Sequence, residues 1–514
     1  MKATGLRVGN RTDPTSGARD LGTEGSTVPA PPPRIWPLFL ATFLSTYTFA
    51  VANISVPGIQ AALDVDSAAT ALVIGAYTVS FAACLIVCGR LGDRFGRRRL
   101  FRIGVLSMIA TSALAALAPN VALLIVGRLL QGVAAAITTP QILSSVQAML
   151  TGHARARAVS LYAIIAGVGT IGGQILGGVL TTFFPVEYGW RAAMASIGGI
   201  ALIAFIGTLW MRDTRSDDPE GLDLLGTVLV AGSLLCLVAG LTNASSMDPL
   251  AVLDTPRTFT VTVVLLVGAV IGFVLLGFHL RHRSLASRPS VLPLHVIREP
   301  GVRLGVTLAC LLFMMLGAFM YNFAVLTQQG FGWSPLHGGV ALVLLATAFV
   351  VSSSLAPRLQ ERMGPRVMVL GAFVQALGLA GVAALAFSPA EPGLFQWIFQ
   401  VCGMFTGGGQ GLMMGPLVSV VMNTVPNRVA GLTGGLVATG QQAGMGLGVA
   451  TLSGVFTALS SLVGMRPAFG YTAALTVLVS FGFAFVAGRL VLHHRRAAAL
   501  ADATSPSRFD NTDS

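Results

Sequence analysis

Arg128 is the one charged residue that lies well inside a long apolar run of this 514-residue sequence. A charge within hydrocarbon costs about 3 kcal/mol or more unless it faces a polar cavity or a partner, so such a residue marks a functional site by default. The guanidinium could attract an anion. In the alternative interpretation Arg128 is structural and donates hydrogen bonds to carbonyl oxygens inside a helix bundle.

The sequence also carries one charged motif twice. Residues 90–96 and 358–364 share the pattern Arg-Leu-x-acid-Arg-bulky-Gly, and each copy lies between long apolar runs. In the first copy the glycines permit a tight turn, and Asp93 can accept hydrogen bonds from amides at a helix N-terminus. A simple anchor of positive charge is the alternative, but it requires neither Asp93 nor the glycines. The duplication indicates two similar halves with a path where they meet.

The composition places the chain in a membrane. Hydrophobic residues make up 54% and charged residues 10%, whereas a soluble domain carries about 25% charged residues. The net charge of +12 is spread through short turns instead of one face, which excludes nucleic-acid binding. The five cysteines lie in apolar runs and form no disulfide framework. Nucleophile–base pairs, phosphate loops and metal-ligand spacings do not occur, so we expect neither an enzyme nor a bound metal or cofactor.

Fourteen apolar runs are long enough to cross a bilayer core of about 30 Å as helices. We therefore predict an all-α integral membrane protein with both termini on one side. The runs lie near residues 36–57, 67–89, 101–118, 120–141, 157–183, 191–211, 222–242, 258–280, 302–328, 336–357, 367–388, 394–422, 430–461 and 469–492. The turns after even-numbered helices hold most arginines, whereas the opposite turns hold only Arg191, Arg257 and Arg466. Basic turns face the cytoplasm, so both termini are predicted to be cytoplasmic.

Matching the two charged motifs divides the chain into two six-helix bundles and an insertion. Residues 36–211 form the N-terminal bundle, residues 212–301 hold the inserted helices 7 and 8 with a cytoplasmic linker, and residues 302–492 form the C-terminal bundle. The polar segments 1–35 and 493–514 are predicted to be disordered cytoplasmic tails. We interpret the second motif as mainly architectural and the first as a cytoplasmic gate. The gate residues are Gly89, Asp93, Arg94, Gly96 and Arg97.

Four segments resemble the signatures of the major facilitator superfamily, in particular its fourteen-helix drug:proton antiporter branch. Residues 89–100 are similar to the loop signature of the family, 75–82 to its helix 2, 127–135 to its helix 4 signature, and 169–178 to a helix 5 signature associated with exporters. The resemblance extends over almost all of residues 36–492. It implies a monomer surrounded by lipid in the bacterial inner membrane, which exports a small organic compound or antibiotic by proton antiport.

The resemblance also implies roles for individual residues. Arg128, with Gln131 and Gly132, would couple proton movement near the substrate. The helix 5 motif comprises Gly169, Gly173, Gln174, Gly177 and Gly178. Glycines at four-residue spacing recur in the second half at Gly440, Gly444 and Gly448. If both helices line the boundary between bundles, these glycines would permit sliding; close helix packing alone is the alternative.

Two positions depart from the family pattern. Thr48 stands where the branch carries an aspartate nine residues before Pro57, although Asn53 fits, and Gln174 replaces the helix 5 proline. Acidic residues outside the tails all lie in turns or at helix ends. A carboxylate at the bilayer centre, the usual means of attracting a cation or carrying a proton, is therefore lacking. We predict neutral or anionic substrates, and an anion would pair with Arg128.

Polar residues within the apolar runs are candidates for lining a substrate cavity. Gln174 leaves helix 5 straighter than proline would and offers an amide. The candidates are Thr48, Asn53, Tyr77, Gln174, Asn322, Gln410 and Gln441, although each could be satisfied between helices. The proton carrier would then be Asp64, Asp66, Asp93 or a group on the substrate.

Three functions remain open at this point. Export of a small organic compound is the leading interpretation, because the helix 5 signature is associated with exporters. A metabolite importer or facilitator of the same fold is the second. A membrane sensor that transports nothing is the third, and its function would not depend on Arg128.

Overall fold

The computed structural model describes residues 35–504 apart from 151, 212–222, 246–255, 287, 289, 293 and 423–429. Most of both predicted tails and residues 212–222 and 246–255 of the predicted insertion therefore lie outside the described residues. The described part contains sixteen α-helices and no strand, which confirms the all-α prediction.

The helices fall into three groups along the chain. The first group is α1 Trp36–Leu63, α2 Ser67–Phe95, α3 Arg97–Ala116, α4 Val121–Met149, α5 Gly152–Phe183 and α6 Val186–Gly207, with a 3-10 turn at Thr208–Trp210. The second group is α7 Leu224–Ser245, α8 Pro256–Leu285 and α9 Leu294–Arg298. The third group is α10 Pro300–Val325 with a π-helical turn at Leu326–Gly330, α11 Pro335–Ala341, α12 Val343–Met363, α13 Arg366–Phe387, α14 Pro392–Met422, α15 Ala430–Val463 and α16 Met465–Thr504.

Two predicted boundaries differ from the structure. The predicted span 336–357 is two helices, because α11 ends before Leu342 and α12 starts after it. The predicted tail from residue 493 begins as helix, because α16 continues to Thr504. Its alanine-rich sequence has high helix propensity, which outweighs the polar composition on which the prediction relied.

Thirteen helical stretches of the described residues are long and apolar enough to cross a membrane. The predicted span 394–422 corresponds to α14, which is not among the thirteen. Its 31 residues include seven glycines and three glutamines, which lower its mean hydropathy. The structure thus shows a helical protein with many membrane-spanning segments, and the count of fourteen stays a prediction.

The two halves pack their helices in the same pattern. In the first half, α1 packs against α5 and α6, α2 against α4, and α3 against α4 and α6. In the second half, α10 packs against α15 and α16, α12 against α14, and α13 against α14 and α16. Each pair coincides when α1 to α6 are matched in order with α10 and α12 to α16. This is the match of helices that the duplicated motif predicts, and the bounds of the two bundles stay a prediction.

The inserted helices lie on one side of the molecule. α7 packs against α2 of the first half and α15 of the second, whereas α8 packs mainly against α7. On α8, Val264, Val270 and Phe278 are each more than 60% exposed. Apolar surface of this extent requires lipid around it. The pair therefore bridges α2 and α15 at the periphery.

Asp223 fixes the start of α7 to the segment that follows α8. Its buried carboxylate accepts hydrogen bonds from Gly226 N at 3.0 Å and from Val291 N at 2.9 Å. His279 Nε2 lies 2.9 Å and Arg283 Nη1 lies 3.7 Å from Oδ1. Burial acts to raise the pKa of Asp223, but the hydrogen bonds from Val291, Gly226 and His279 outweigh it and hold the pKa below its usual value. The carboxylate thus ties α7, α8 and the following segment together.

Both charged motifs lie at the end of a helix. The turns that follow them are therefore shorter than predicted from the sequence. α2 continues to Phe95 and α12 continues to Met363. The final glycine of each copy has a positive φ, 96° at Gly96 and 61° at Gly364, and the next helix starts within two residues. Glycine adopts this backbone region without steric cost. The glycine that ends each copy is therefore the residue at which the chain turns into the next helix.

We predict that Asp223→Ala lowers the free energy of unfolding by about 2 kcal/mol, because two buried amides lose their acceptor. The lowered pKa means that this stabilisation is fully present above about pH 4 and is lost as the pH falls through the folded-state pKa. Thermal unfolding of purified protein in detergent should show a difference from wild type at pH 7 that shrinks below pH 4. Glu391→Ala, at an exposed carboxylate, is the control. A difference in stability between Asp223→Ala and wild type that is the same at every pH would contradict the role of the ionised Asp223 carboxylate.

Candidate functional site

Arg128 lies inside the first half, among α2, α3 and α4. Its side chain is fully buried. Nε donates to Val73 O at 3.2 Å and Nη1 donates to Gln131 Oε1 at 2.8 Å. Gln131 Nε2 donates in turn to Ser112 Oγ at 3.0 Å. A backbone carbonyl and a side-chain amide oxygen thus accept from two of the guanidinium nitrogens, whereas Nη2 is buried without a hydrogen-bond partner among the described residues.

Tyr77 covers the guanidinium and connects it to α1. Arg128 Cζ lies 4.4 Å from the centre of the Tyr77 ring, a cation–π distance, and Tyr77 Oη donates to Ser45 O at 3.1 Å. Gly132 permits this arrangement, because a Cβ there would collide with Ser80 Oγ and the Tyr77 carbonyl oxygen. Arg128, Gln131 and Gly132 therefore form a buried polar centre within the first half, and their role in coupling or substrate binding stays a prediction.

Most helix 5 glycines face α1 within the same half. A Cβ at Gly169 would lie 2.5 Å from Phe43 O, and one at Gly173 would lie 2.9 Å from Tyr47 O. Gly177 faces α1 at Val51 and Ile54, and in the second half Gly440, Gly444 and Gly448 face backbone carbonyls of α10. These glycines therefore pack helices within each half, which corresponds to the packing interpretation.

Other glycines bring the two halves together. A Cβ at Gly178 would lie 2.9 Å from Pro335 O, and one at Gly167 would lie 2.8 Å from the Phe349 ring. On the opposite side, a Cβ at Gly339 would lie 2.8 Å from the carbonyl oxygen of Gln174. Small residues thus allow α5 to approach α11 and α12 closely across the boundary.

A cavity lies between the halves beside this contact. Its lining comes from α5, α10, α11, α12 and α14 and includes Thr170 and Gln174 on one side and Met320, Phe349 and Gln410 on the other. Among the residues that line it, none is charged. A cavity with an apolar surface and a few convergent polar groups is the usual form of a small-molecule site.

The predicted cavity residues separate into two groups. Gln174 and Gln410 line the cavity, whereas Tyr77 belongs to the Arg128 centre. Thr48 Oγ1 and Asn53 Nδ2 donate to carbonyl oxygens one turn earlier in α1, at 2.7 and 2.9 Å. Asn322 is buried in α10, and Gln441 is half-buried in α15. Hydrogen bonds within α1 therefore occupy the donor groups of Thr48 and Asn53.

The gate motif joins helices within the first half. Gly89 packs against α4, and Arg97 Nη1 donates to Ser144 O at 3.1 Å, also on α4. Arg94 is exposed. The side chain of Asp93 lies outside the described part of the structure. A gating role for the motif stays a prediction.

Tyr321 connects the halves near the turn between α1 and α2. Its hydroxyl donates to Ser67 O at 3.3 Å and lies 3.4 Å from Thr70 Oγ1. Ser67 starts α2 in the first half, whereas Tyr321 lies on α10 in the second. These hydrogen bonds therefore cross the boundary.

The π-helical turn after α10 adds two more contacts of this kind. Gln328 Nε2 donates to Ile54 O at 3.0 Å, and Gln329 Nε2 donates to Gln60 Oε1. We call the hydrogen bonds of Tyr321, Gln328 and Gln329 to the first half the α1–α2 seal. Sequence reasoning missed these residues. The signal that could have indicated them is a pair of glutamines at the end of an apolar run, where neither is needed for crossing the membrane.

Two similarly packed helical halves with a cavity at their boundary define a membrane transport protein of the repeat-built type. The sequence matches the Major Facilitator Superfamily over residues 38–449. The chain belongs to this superfamily, as the sequence motifs predicted, and is a multi-pass protein of the bacterial cell membrane that acts as a transporter and not as an enzyme.

Sequence relatives include named resistance proteins. The chain is 32% identical to the puromycin resistance protein pur8 of Streptomyces alboniger, over 89% of this chain and 91% of the relative. It is 31% identical to the tetracenomycin C resistance and export protein of Streptomyces glaucescens, over 82% of this chain and 75% of the relative. Among solved structures, a bacterial homologue of the human drug peptide transporters PepT1 and PepT2 superposes with a TM-score of 0.63 at 16% identity, over 90% and 98% of the two chains. At this identity the structural likeness concerns the fold alone.

We predict that Gly173→Val destabilises the protein by about 1 to 3 kcal/mol, because the new side chain would force α5 away from the α1 backbone. The melting temperature of purified protein in detergent should fall. Gly199→Val on α6 is the matched control, since a Cβ at Gly199 meets no atom within 4 Å. Equal melting temperatures for the two variants would contradict the packing role.

Proposed function

We propose that this protein exports a small organic compound of the antibiotic type from the cytoplasm by alternating access of its two halves. The uncharged cavity between α5 and the second half carries the proposal, because it offers a binding site where the halves meet. The named functions of the resistance and export proteins to which the chain is similar support the direction of transport.

The cavity favours a neutral compound over an anion. Charged side chains are lacking among the residues that line it, and Arg128 is enclosed within the first half with oxygen partners of its own. A dication would lose its hydration without gaining a carboxylate in such a site. Arg128 accordingly acts on transport by holding α1, α2 and α4 together.

Protons are the proposed driving ion. Asp64 and Asp66 are exposed beside the α1–α2 turn, and Asp66 also caps α2 by accepting from Ala69 N at 2.8 Å. With fourteen crossings and both termini in the cytoplasm, these two acids face outward and Asp93 faces the cytoplasm. Acids at the two surfaces, or a group on the substrate, would then carry the proton.

In this proposed orientation the α1–α2 seal lies on the extracellular side. The seal must open when the protein releases its substrate outward, because Tyr321, Gln328 and Gln329 hold the halves together there. Movement at the seal is therefore the proposed release step.

Drug susceptibility in an efflux-deficient host tests the function. We expect the wild-type protein to raise the minimum inhibitory concentration of puromycin or tetracenomycin C several-fold and to leave that of a quaternary ammonium dication unchanged. Arg128→Ala and Asp93→Asn should abolish the protection, whereas Gly199→Ala should retain it. Immunoblots of membranes would verify equal amounts of protein.

Reconstituted vesicles separate export from import and test coupling. Uphill movement of puromycin or tetracenomycin C under an imposed pH gradient is expected. Protection that survives Arg128→Ala would favour a protein that senses rather than transports. Uptake into intact cells would instead show import.

We also predict that Tyr321→Phe favours the outward-open state, because the seal loses hydroxyl hydrogen bonds worth about 1 kcal/mol. In a background without the native cysteines, Ser453→Cys, in the small cavity beside Tyr321, should react several-fold faster with a membrane-impermeant maleimide added outside. Tyr471→Phe, at a half-exposed tyrosine, is the control. An unchanged rate would contradict the role of the seal.

A further inference from the structure

Gln174 holds an unpaired polar atom inside the cavity between the halves. Its side chain is 3% exposed, and Oε1 has no hydrogen-bond partner among the described residues. The other amide atom, Nε2, lies 3.5 Å from Met320 Sδ. A thioether accepts hydrogen bonds only weakly, so the amide is poorly satisfied whichever way it is turned.

This arrangement is costly unless a ligand completes it. An unsatisfied buried polar group costs about 1 to 3 kcal/mol. Gln174 lies nine residues before the end of α5 at Phe183, roughly 14 Å along the helix at about 1.5 Å per residue. Gln174 thus lies well inside the helix, and a donor on a bound molecule would supply the partner that Oε1 lacks.

The surroundings of Gln174 define the rest of that molecule. Leu345, Phe349 and Met320 provide apolar and aromatic surface, and Gln410 adds a second amide across the cavity. Methionine adapts to ligands of varied shape and contacts aromatic rings favourably. The lining thus fits a neutral, mostly apolar compound with a few polar groups.

The contact also crosses the boundary between the halves. Gln174 belongs to α5 in the first half and Met320 belongs to α10 in the second. A weak N–H···S contact between two bodies that move relative to each other is easily exchanged for a hydrogen bond to substrate. Proline at this position would offer no amide.

Gln375 provides a matched comparison within the same chain. It is 1% exposed, its Nε2 lies 3.6 Å from Met315 Sδ, and its Oε1 also lacks a partner among the described residues. Gln375 lies on α13 and contacts α10, both in the second half, and it does not line the cavity between the halves. The two glutamines differ in location and not in chemistry.

We propose that Gln174 forms the hydrogen bond that selects the transported compound, and that this compound is neutral, largely apolar and carries a hydroxyl or N–H donor. This inference rests on the proposed export function, because it names the substrate class of the same cavity. It assigns the departure from the helix 5 proline to substrate selection.

Binding of two neutral fluorescent probes tests the proposal. 9-Anthracenemethanol carries a hydroxyl donor, and its methyl ether has nearly the same shape without the donor. Purified full-length protein should bind the alcohol about tenfold more tightly than the ether, since one buried hydrogen bond of about 1.4 kcal/mol corresponds to a factor of ten. Gln174→Met should reduce this ratio to about one, whereas Gln375→Met should leave it unchanged.

Two further measurements keep the outcomes distinct. Melting temperatures verify that both variants fold, and Gln174→Leu replaces Gln174→Met if the latter does not. Equal binding of the two probes by wild type, no binding of either, or an undiminished preference in the Gln174 variant would overturn the assignment. Susceptibility to puromycin and tetracenomycin C in the same strains tests the proposed function separately. If wild type gives resistance but the Gln174 variant keeps its preference for the alcohol, only the Gln174 inference is refuted. If wild type gives no resistance, the export function is refuted.

Discussion

Polar groups inside the bilayer must find their hydrogen-bond partners within the protein, because hydrocarbon supplies none. Thr48 Oγ1 and Asn53 Nδ2 donate to carbonyl oxygens of their own helix. Arg128 donates through Nε to the Val73 carbonyl and through Nη1 to the Gln131 amide. Asn53 Oδ1 and Arg128 Nη2 have no partner among the described residues. The groups that stay unpaired are therefore informative. Gln174 is one of them, and it lies where the two halves enclose a cavity.

The same solvent makes close packing the main means of holding each half together. Without a hydrophobic effect between helices, backbones must approach closely to gain dispersion contacts. Gly169 and Gly173 allow this between α5 and α1, and Gly444 and Gly448 allow it between α15 and α10. The contacts between halves use different residues, such as Gly178 and Gly339. Each half can thus remain rigid while the boundary between them changes.

Much of the fold could be predicted from the sequence, because the apolar runs and the repeated charged motif are periodic features of the chain itself. The match of Arg90 with Arg358 already pairs the helices that the structure shows in equivalent packing positions. The sequence could not predict which face of α4 or α5 packs against which neighbour. Arg128 and the helix 5 glycines have the same spacing whether that face lies in a bundle core or lines a cavity. Gln328 and Gln329 were missed for a related reason, because their partners lie more than 250 positions away.

In the proposed alternating-access cycle, the α1–α2 seal is a contact between the halves that must open. The α1–α2 seal consists of neutral hydrogen bonds, each with a net value of about 1 kcal/mol, because water or another protein group can replace them. A seal of this strength holds one state by a few kcal/mol, which lies within the range that a ligand can offset by binding one state better than the other. A neutral donor that binds Gln174 would exchange a weak contact with Met320 for a real hydrogen bond. One such hydrogen bond is worth about 1 kcal/mol, which is less than the loss of the whole seal, so it offsets only part of that loss.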